Sequence, residues 1–343
     1  MKKIKVFKNL DSGGRIQVDV VMDNILLFGT FDEGADAILQ AKNLVNVIKV
    51  HSDIFYISFT DYHSGLFYKV DERETLLEFD EDFKVIAQLN NGYNFSPFGH
   101  NRSKKNFAIT RRINSILEYG FYNLPTGLVV KTKFHPKCYC EIILALKTYH
   151  IERYSTEGSI LWSVDYTDEL AKLGDRHNKI LTIIGISDGV IICRYDNGQV
   201  GIGINVETGH VKWIEEGWFI SLELQQDGTM FSMGPPMTVR DVHTGKIIGE
   251  YGEVDSRMYT SRGVYSWIGD HIILSGSQRD TIAAFNTKTH KIDWIHKEEG
   301  VWFPDVPMKY FHPYLFVNDS KGNLHVFEVS DEMAKINNNN PLT

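Results

Sequence analysis

Gly203-Ile204-Asn205-Val206-Glu207-Thr208-Gly209-His210-Val211-Lys212-Trp213 decides the fold of this 343-residue chain. It reads as a strand, a tight turn and a returning strand. Asn205 can bond its own backbone at the strand end. Gly209 supplies the positive φ that the turn needs. Trp213 returns on the next strand with enough area to fill a gap between neighbouring sheets. The pattern recurs at Val239-Arg240-Asp241-Val242-His243-Thr244-Gly245, at Ala284-Phe285-Asn286-Thr287-Lys288-Thr289-His290-Lys291-Ile292-Asp293-Trp294, and at Glu152-Arg153-Tyr154-Ser155-Thr156-Glu157-Gly158-Ser159-Ile160-Leu161-Trp162. A sheet repeated in this way cannot bury both faces alone, so the repeats must stack and close into a ring.

Each copy follows another strand. These strands begin near Ile54, Phe107, Ile142, Val190, Met230, Ile272 and Leu315, which puts six intervals averaging about 43–44 residues between Ile54 and Leu315. That is the length of one four-stranded blade. A further strand at Ile25-Leu26-Leu27-Phe28 stands only 29 residues before Ile54, too few for a blade. The expectation is an all-β, single β-propeller of seven four-stranded antiparallel blades, with eight as the alternative. The last module, Tyr314 to Phe327, gives two strands and then frays, so residues 3–8 or 15–21 are expected to close its blade as the outer strand. Residues 1–335 form the propeller in this reading. Residues 336–343, with Asn337 to Asn340, form a disordered tail.

The segment A-x-(D/N)-x-x-T-G-x-x-x-W resembles the repeat of PQQ-like (quinoprotein-type) β-propellers, including WD40-like relatives that carry no cofactor. The resemblance covers roughly residues 50–330 as an architecture, with degenerate copies: Tyr122-Asn123-Leu124-Pro125-Thr126-Gly127 reads as carrying one extra residue, and Lys69-Val70-Asp71-Glu72-Arg73-Glu74 has lost its glycine. Quinoprotein dehydrogenases of that family are longer and carry adjacent cysteines. None are adjacent here, so no cofactor is expected and no cofactor residue is carried over.

Lys+Arg number 36 against 44 Asp+Glu, a formal charge of −8, which disfavours nucleic acid as a partner. No apolar run reaches 18 residues, so no membrane partner is expected. The N-terminal lysines are followed by no apolar stretch of signal-peptide type, and three cysteines do not make a disulfide framework. The protein is expected to be cytoplasmic and monomeric. His135, Cys138 and Cys140 form the most metal-like cluster, but one residue between cysteines is not the usual zinc spacing. The two cysteines read more simply as small apolar packing. The sequence holds no phosphate loop and no nucleophile elbow, so no catalytic, cofactor or metal residue is assigned.

One pair of segments stands apart. Glu215-Glu216-Gly217-Trp218 and Glu298-Glu299-Gly300-Val301-Trp302 each link one blade's outer strand to the next blade's inner strand. Aromatic residues ringed by carboxylates suit a basic partner. Trp218, Trp302, Glu216 and Glu299 are the expected partner-binding residues. Arg112, Arg279 and His63, in or near other turns, join the same rim. Three functions fit: a non-enzymatic protein-binding scaffold, an immunity-type inhibitor of a toxin, or a lyase, lactonase or glycosidase with carboxylates near the channel. The first is preferred, because no reactive cluster is recognisable.

Overall fold

The computed structural model describes residues 1–10, 16–21, 24–31, 34–40, 47–49, 61–63, 66–70, 76–79, 85–89, 94–95, 106–114, 116–139, 141–176, 178–217, 219, 222–224, 228–232, 237–250, 265–275, 280–303 and 308–334. Between residues 19 and 93 it describes only the course and pairing of the backbone. The tail at 336–343, Cys140, Trp218 and Arg279 lie outside the described residues.

The described strands form eight four-stranded antiparallel sheets. Seven run in chain order. The first is Gln17–Val21, Asn24–Phe31, Gly34–Gln40 and Val47–Lys49; the second is Asp61–His63, Leu66–Val70, Leu76–Phe79 and Val85–Leu89. The third is Asn94–Phe95, Asn106–Ile113, Ile116–Asn123 and Leu128–Thr132; the fourth is Pro136–Tyr139, Ile142–Lys147, His150–Tyr154 and Ile160–Asp165. The fifth is Thr182–Ser187, Val190–Tyr195, Val200–Asn205 and Val211–Glu216. The sixth is Leu222–Leu224, Thr229–Ser232, Thr238–Asp241 and Ile247–Glu250; the seventh is Tyr265–Ile268, His271–Ser275, Thr281–Asn286 and Lys291–Lys297. The eighth joins Lys309–Phe311, Tyr314–Asn318 and Leu324–Glu328 to Lys2–Phe7.

The described residues form eight sheets, the number kept as the alternative to seven. Ile54, where the spacing placed a second strand, lies outside the described residues. The second sheet's second strand is Leu66–Val70, 42 residues after Asn24, so the Ile25 segment opens a full repeat. The sequence reading also missed a short helix, Thr167–Ala171.

The chain divides into two units. One holds Met1–Lys49, Thr182–Val206 and His210–Thr343; the other holds Val50–Leu181 and Glu207–Gly209. Within a sheet the middle strands are buried on both faces, as at Val190–Tyr195 and Val200–Asn205, while the last strand alternates, as at Lys291–Lys297. That pattern requires cover on both faces of the middle strands and water along the outer ones.

The repeated turn works as its residues imply. Asp241 Oδ1 accepts from Thr244 N at 2.7 Å and Thr244 Oγ1 at 2.8 Å, and Asn286 Oδ1 accepts from Lys288 N and Thr289 N. Asn123 Oδ1 accepts from Thr126 N and Oγ1 at the same three-residue offset as Asp241 and Thr244. The turn at Asn123 therefore carries no extra residue, which corrects the sequence reading.

Of the two segments offered for the last sheet, Lys2–Phe7 pairs with Leu324–Glu328, from Lys2 opposite Glu328 to Phe7 opposite Leu324. Gln17–Val21 opens the first sheet instead. Asn9 and Ile16 are tied to the last sheet as well: Asn9 N donates to Asn323 Oδ1 and Ile16 N to Gly322 O.

Candidate functional site

The loop after the seventh sheet is built on a pinned base. Strand Lys291–Lys297 ends at Glu298, whose backbone N–H donates to Asp280 O at 3.1 Å. The Glu298 carboxylate accepts from Lys3 Nζ at 2.6 and 2.5 Å and meets His296 Nε2 at 3.1 Å. His325 Nδ1 stands 3.7 Å from the same carboxylate. Burial alone would raise the Glu298 pKa, but the hydrogen bonds from Lys3 and His296 outweigh it and hold the group below its ordinary value.

The other side of the base is Asp319. Its Oδ1 accepts from Lys321 N at 2.8 Å and Asn323 N at 3.0 Å; its Oδ2 accepts from Asn323 Nδ2 at 2.7 Å and faces His325 Nε2 at 3.1 Å. Burial again works against ionisation, and the His325, Asn323 and backbone hydrogen bonds again prevail, so the Asp319 pKa is lowered. Both Asp319 and His325 are buried. Carboxylates saturated with donors and held below their ordinary pKa are weak proton acceptors, so this cluster is suited to holding a loop rather than to acid–base chemistry.

Between these anchors the chain turns through Val301 N to Glu298 O, and Trp302 O accepts from Ser320 N at 2.6 Å. Phe303 is fully buried, with its ring edge-on to His325 at 5.2 Å. Glu299 is exposed, and Trp302 keeps 48% of its surface open. The loop thus presents an indole and a carboxylate from a backbone tied on both sides.

The loop after the fifth sheet follows the same plan. Glu216 is exposed at the end of its strand, Gly217 N donates to Gln199 O, and Phe219 N donates to Gly198 O. Phe219 is buried beneath the Arg240 guanidinium, 4.4 Å above its ring centre. The structure places the remaining expected residues elsewhere. Arg112 is exposed near the end of strand Asn106–Ile113, in the other unit. His63, expected in a turn, ends strand Asp61–His63 and pairs with Leu66, so it falls inside the ladder. Lys3, His296, Asp319 and His325 were not singled out from sequence. Lys3 and Glu298 are 295 residues apart, and nothing local announces their pairing.

Cys138 is fully buried, and burial pushes its thiol pKa up; Cys193 is buried as well. Neither should react with a thiol reagent in the native protein, and both should react after denaturation, read by peptide mass spectrometry. Rapid native labelling of either would contradict this packing. Among the described residues, no group of three or more His, Cys, Asp or Glu is arranged to hold a metal ion. No helix among them is long and apolar enough to cross a membrane.

No protein-family model matches the chain, and no curated protein matches its sequence. Solved structures do resemble it. The computationally designed Ika8 protein aligns at TM-score 0.63 and 10% identity, over 96% of this chain and 100% of its own. Sqt1 of Saccharomyces cerevisiae aligns at 0.60 and 12%, again over 96% and 100%. The β-propeller domain of Myceliophteria thermophila Cps50 (Swd1) aligns at 0.51 and 12%, over 96% and 99%. At such identities the likeness speaks for the fold alone: an all-β chain of four-stranded antiparallel sheets with β-propeller neighbours.

Proposed function

We propose that the protein is a non-enzymatic binding scaffold, a β-propeller that takes a basic protein partner on the loops joining consecutive sheets. In this reading the eight sheets close into one ring, with Lys2–Phe7 as the last outer strand, and the protein acts as a cytoplasmic monomer without a cofactor. The PQQ-like repeat then serves architecture only. The observation that carries the proposal is the pairing of a half-open Trp302 with exposed Glu299 on a loop tied by Glu298, Ser320 and Phe303. A rigid aromatic anchor beside a carboxylate fits a Lys- or Arg-bearing surface and loses little entropy on binding. Glu216 extends the acidic character to a second loop.

The test is affinity capture from the native source with the wild type and Trp302→Ala side by side. Trp302→Ala should change stability by less than about 1 kcal/mol, since the side chain is half exposed. It should lose one dominant, basic partner that the wild type retains. Equal retention by both, or a partner insensitive to Trp302 and Glu299→Gln, would contradict the proposal.

A further inference from the structure

Asp188, His243 and Lys212, drawn from the fifth and sixth sheets, form a line of hydrogen-bonded groups. His243 Nε2 stands 2.7 Å from Asp188 Oδ2, and His243 Nδ1 stands 3.0 Å from Lys212 Nζ. Chemistry fixes the roles along the line. A lysine ammonium only donates, and a carboxylate oxygen accepts. His243 therefore accepts at Nδ1 and donates from Nε2, a neutral imidazole backed by a carboxylate. Other described lysines are held differently: Lys131 pairs with Glu118, Lys288 with Asp270 and Lys297 with Asp280. A carboxylate partner favours the charged ammonium. An imidazole partner can take its proton. Each member of the line stands beside a fixed point of the backbone. Asp188 and Gly189 join Thr182–Ser187 to Val190–Tyr195 at φ 43° and 71°, the positive values of a tight hairpin turn, and Gly189 O accepts from Val206 N at 3.0 Å. Lys212 precedes Trp213, and His243 follows Val242; the indole N–H of Trp213 donates to Val242 O at 2.8 Å. That one bond sets the Lys212 and His243 backbones against each other, and Val242 N is held in turn by Gly228 O at 2.9 Å. All three residues are exposed, so a reagent can reach the amine.

We propose that Lys212 is a modification site that takes an acyl group from an acyl thioester without a second enzyme, with His243 as its general base and Asp188 as the residue that positions His243. The Lys212 ammonium gives a proton to His243 Nδ1, and Asp188 meets the resulting imidazolium at Nε2. The freed amine attacks the thioester carbonyl. The C–N bond forms and the C–S bond breaks. The second proton shed by the nitrogen neutralises the departing thiolate, and His243 returns its own proton to water. The products are an amide on Lys212 and a free thiol, and the amide no longer carries the lysine charge. The arrangement is that of a nucleophile within reach of a base that a third group orients. Rigid placement of the base beside the amine is what makes such a transfer efficient.

The experiment is incubation of the full chain with acetyl-coenzyme A, with the acetylation rate at each lysine read by peptide mass spectrometry. Lys246, exposed in the same repeated turn as His243, is the internal reference. In the folded wild type Lys212 should react at least about 10-fold faster than Lys246, within what a positioned general base supplies. In guanidinium chloride the two should react alike. His243→Gln keeps a hydrogen-bond acceptor but no base, and should bring Lys212 down to the Lys246 rate. Asp188→Asn should also slow Lys212, and Asp188→Glu should restore most of the rate. Unchanged melting temperatures, expected at exposed positions, show that the variants fold. If His243 merely held the ammonium, His243→Gln would leave Lys212 acetylation unchanged or raise it. Either of those results overturns the proposal. So does a wild-type Lys212 no faster than Lys246, or an Asp188→Asn variant that matches the wild type.

Discussion

Trp213→Ala is expected to cost about 3–5 kcal/mol, the range for truncating a large buried aromatic. Trp213 is 8% exposed on the last strand of the fifth sheet. Its indole N–H donates to Val242 O at 2.8 Å, and its ring stacks on Phe219 at 6.0 Å between centres. Two glycines make room for it. A Cβ on Gly203 would come within 2.2 Å of the indole, and one on Gly245 within 2.5 Å. Gly245 also sits at φ 71°, so its identity is required twice over, by conformation and by space. Chemical denaturation followed by circular dichroism measures the loss. Trp213→Phe should lose less, keeping ring packing but leaving the Val242 carbonyl without its donor. A Trp213→Ala cost under about 1 kcal/mol would show that the indole does not join the fifth and sixth sheets.

Asp319→Ala is expected to cost about 3–5 kcal/mol, because it strips a buried acceptor from His325, Asn323 and two backbone N–H groups at once. The same residue gives the molecule a pH dependence. Asp319 and Glu298 have folded pKa values below their ordinary 3.8 and 4.5. Groups depressed in the folded state bind more protons when unfolded. Their stabilisation is complete above those ordinary values and is lost as pH falls through the lower folded ones. The groups facing them are His325, His296 and Lys3. Melting temperature should therefore drop steeply as pH falls below about 4, and Asp319→Ala should flatten that drop. An equally steep acid limb in the variant would place the linkage in other carboxylates.

The turn residues made the fold legible. Asn123, Asp241 and Asn286 each bind the backbone just ahead, so one recurring local chemistry marked the third, sixth and seventh sheets. The spacing was hardest to read where that chemistry is absent: no Thr-Gly turn marks the first two sheets, whose second strands are Asn24–Phe31 and Leu66–Val70. That an N-terminal segment pairs with the last module was readable because that module lacked a strand, with residues 3–8 and 15–21 both left open. The site was half legible. Glu299 and Trp302 stood out by repetition with Glu216 and Trp218. The groups that tie down their loop did not: Lys3 reaches Glu298 across 295 residues, and the Asp319–His325 pair carries no motif that marks it in the sequence.

The most direct test of the binding proposal is hydrogen exchange on the wild type with and without the partner it captures. Amides of residues 298–303 should slow on binding, while Trp302→Ala, folded to the same melting temperature, should show no change with the same partner. Protection confined to other segments, with residues 298–303 exchanging as in the free protein, would contradict the assignment of this loop as the binding site.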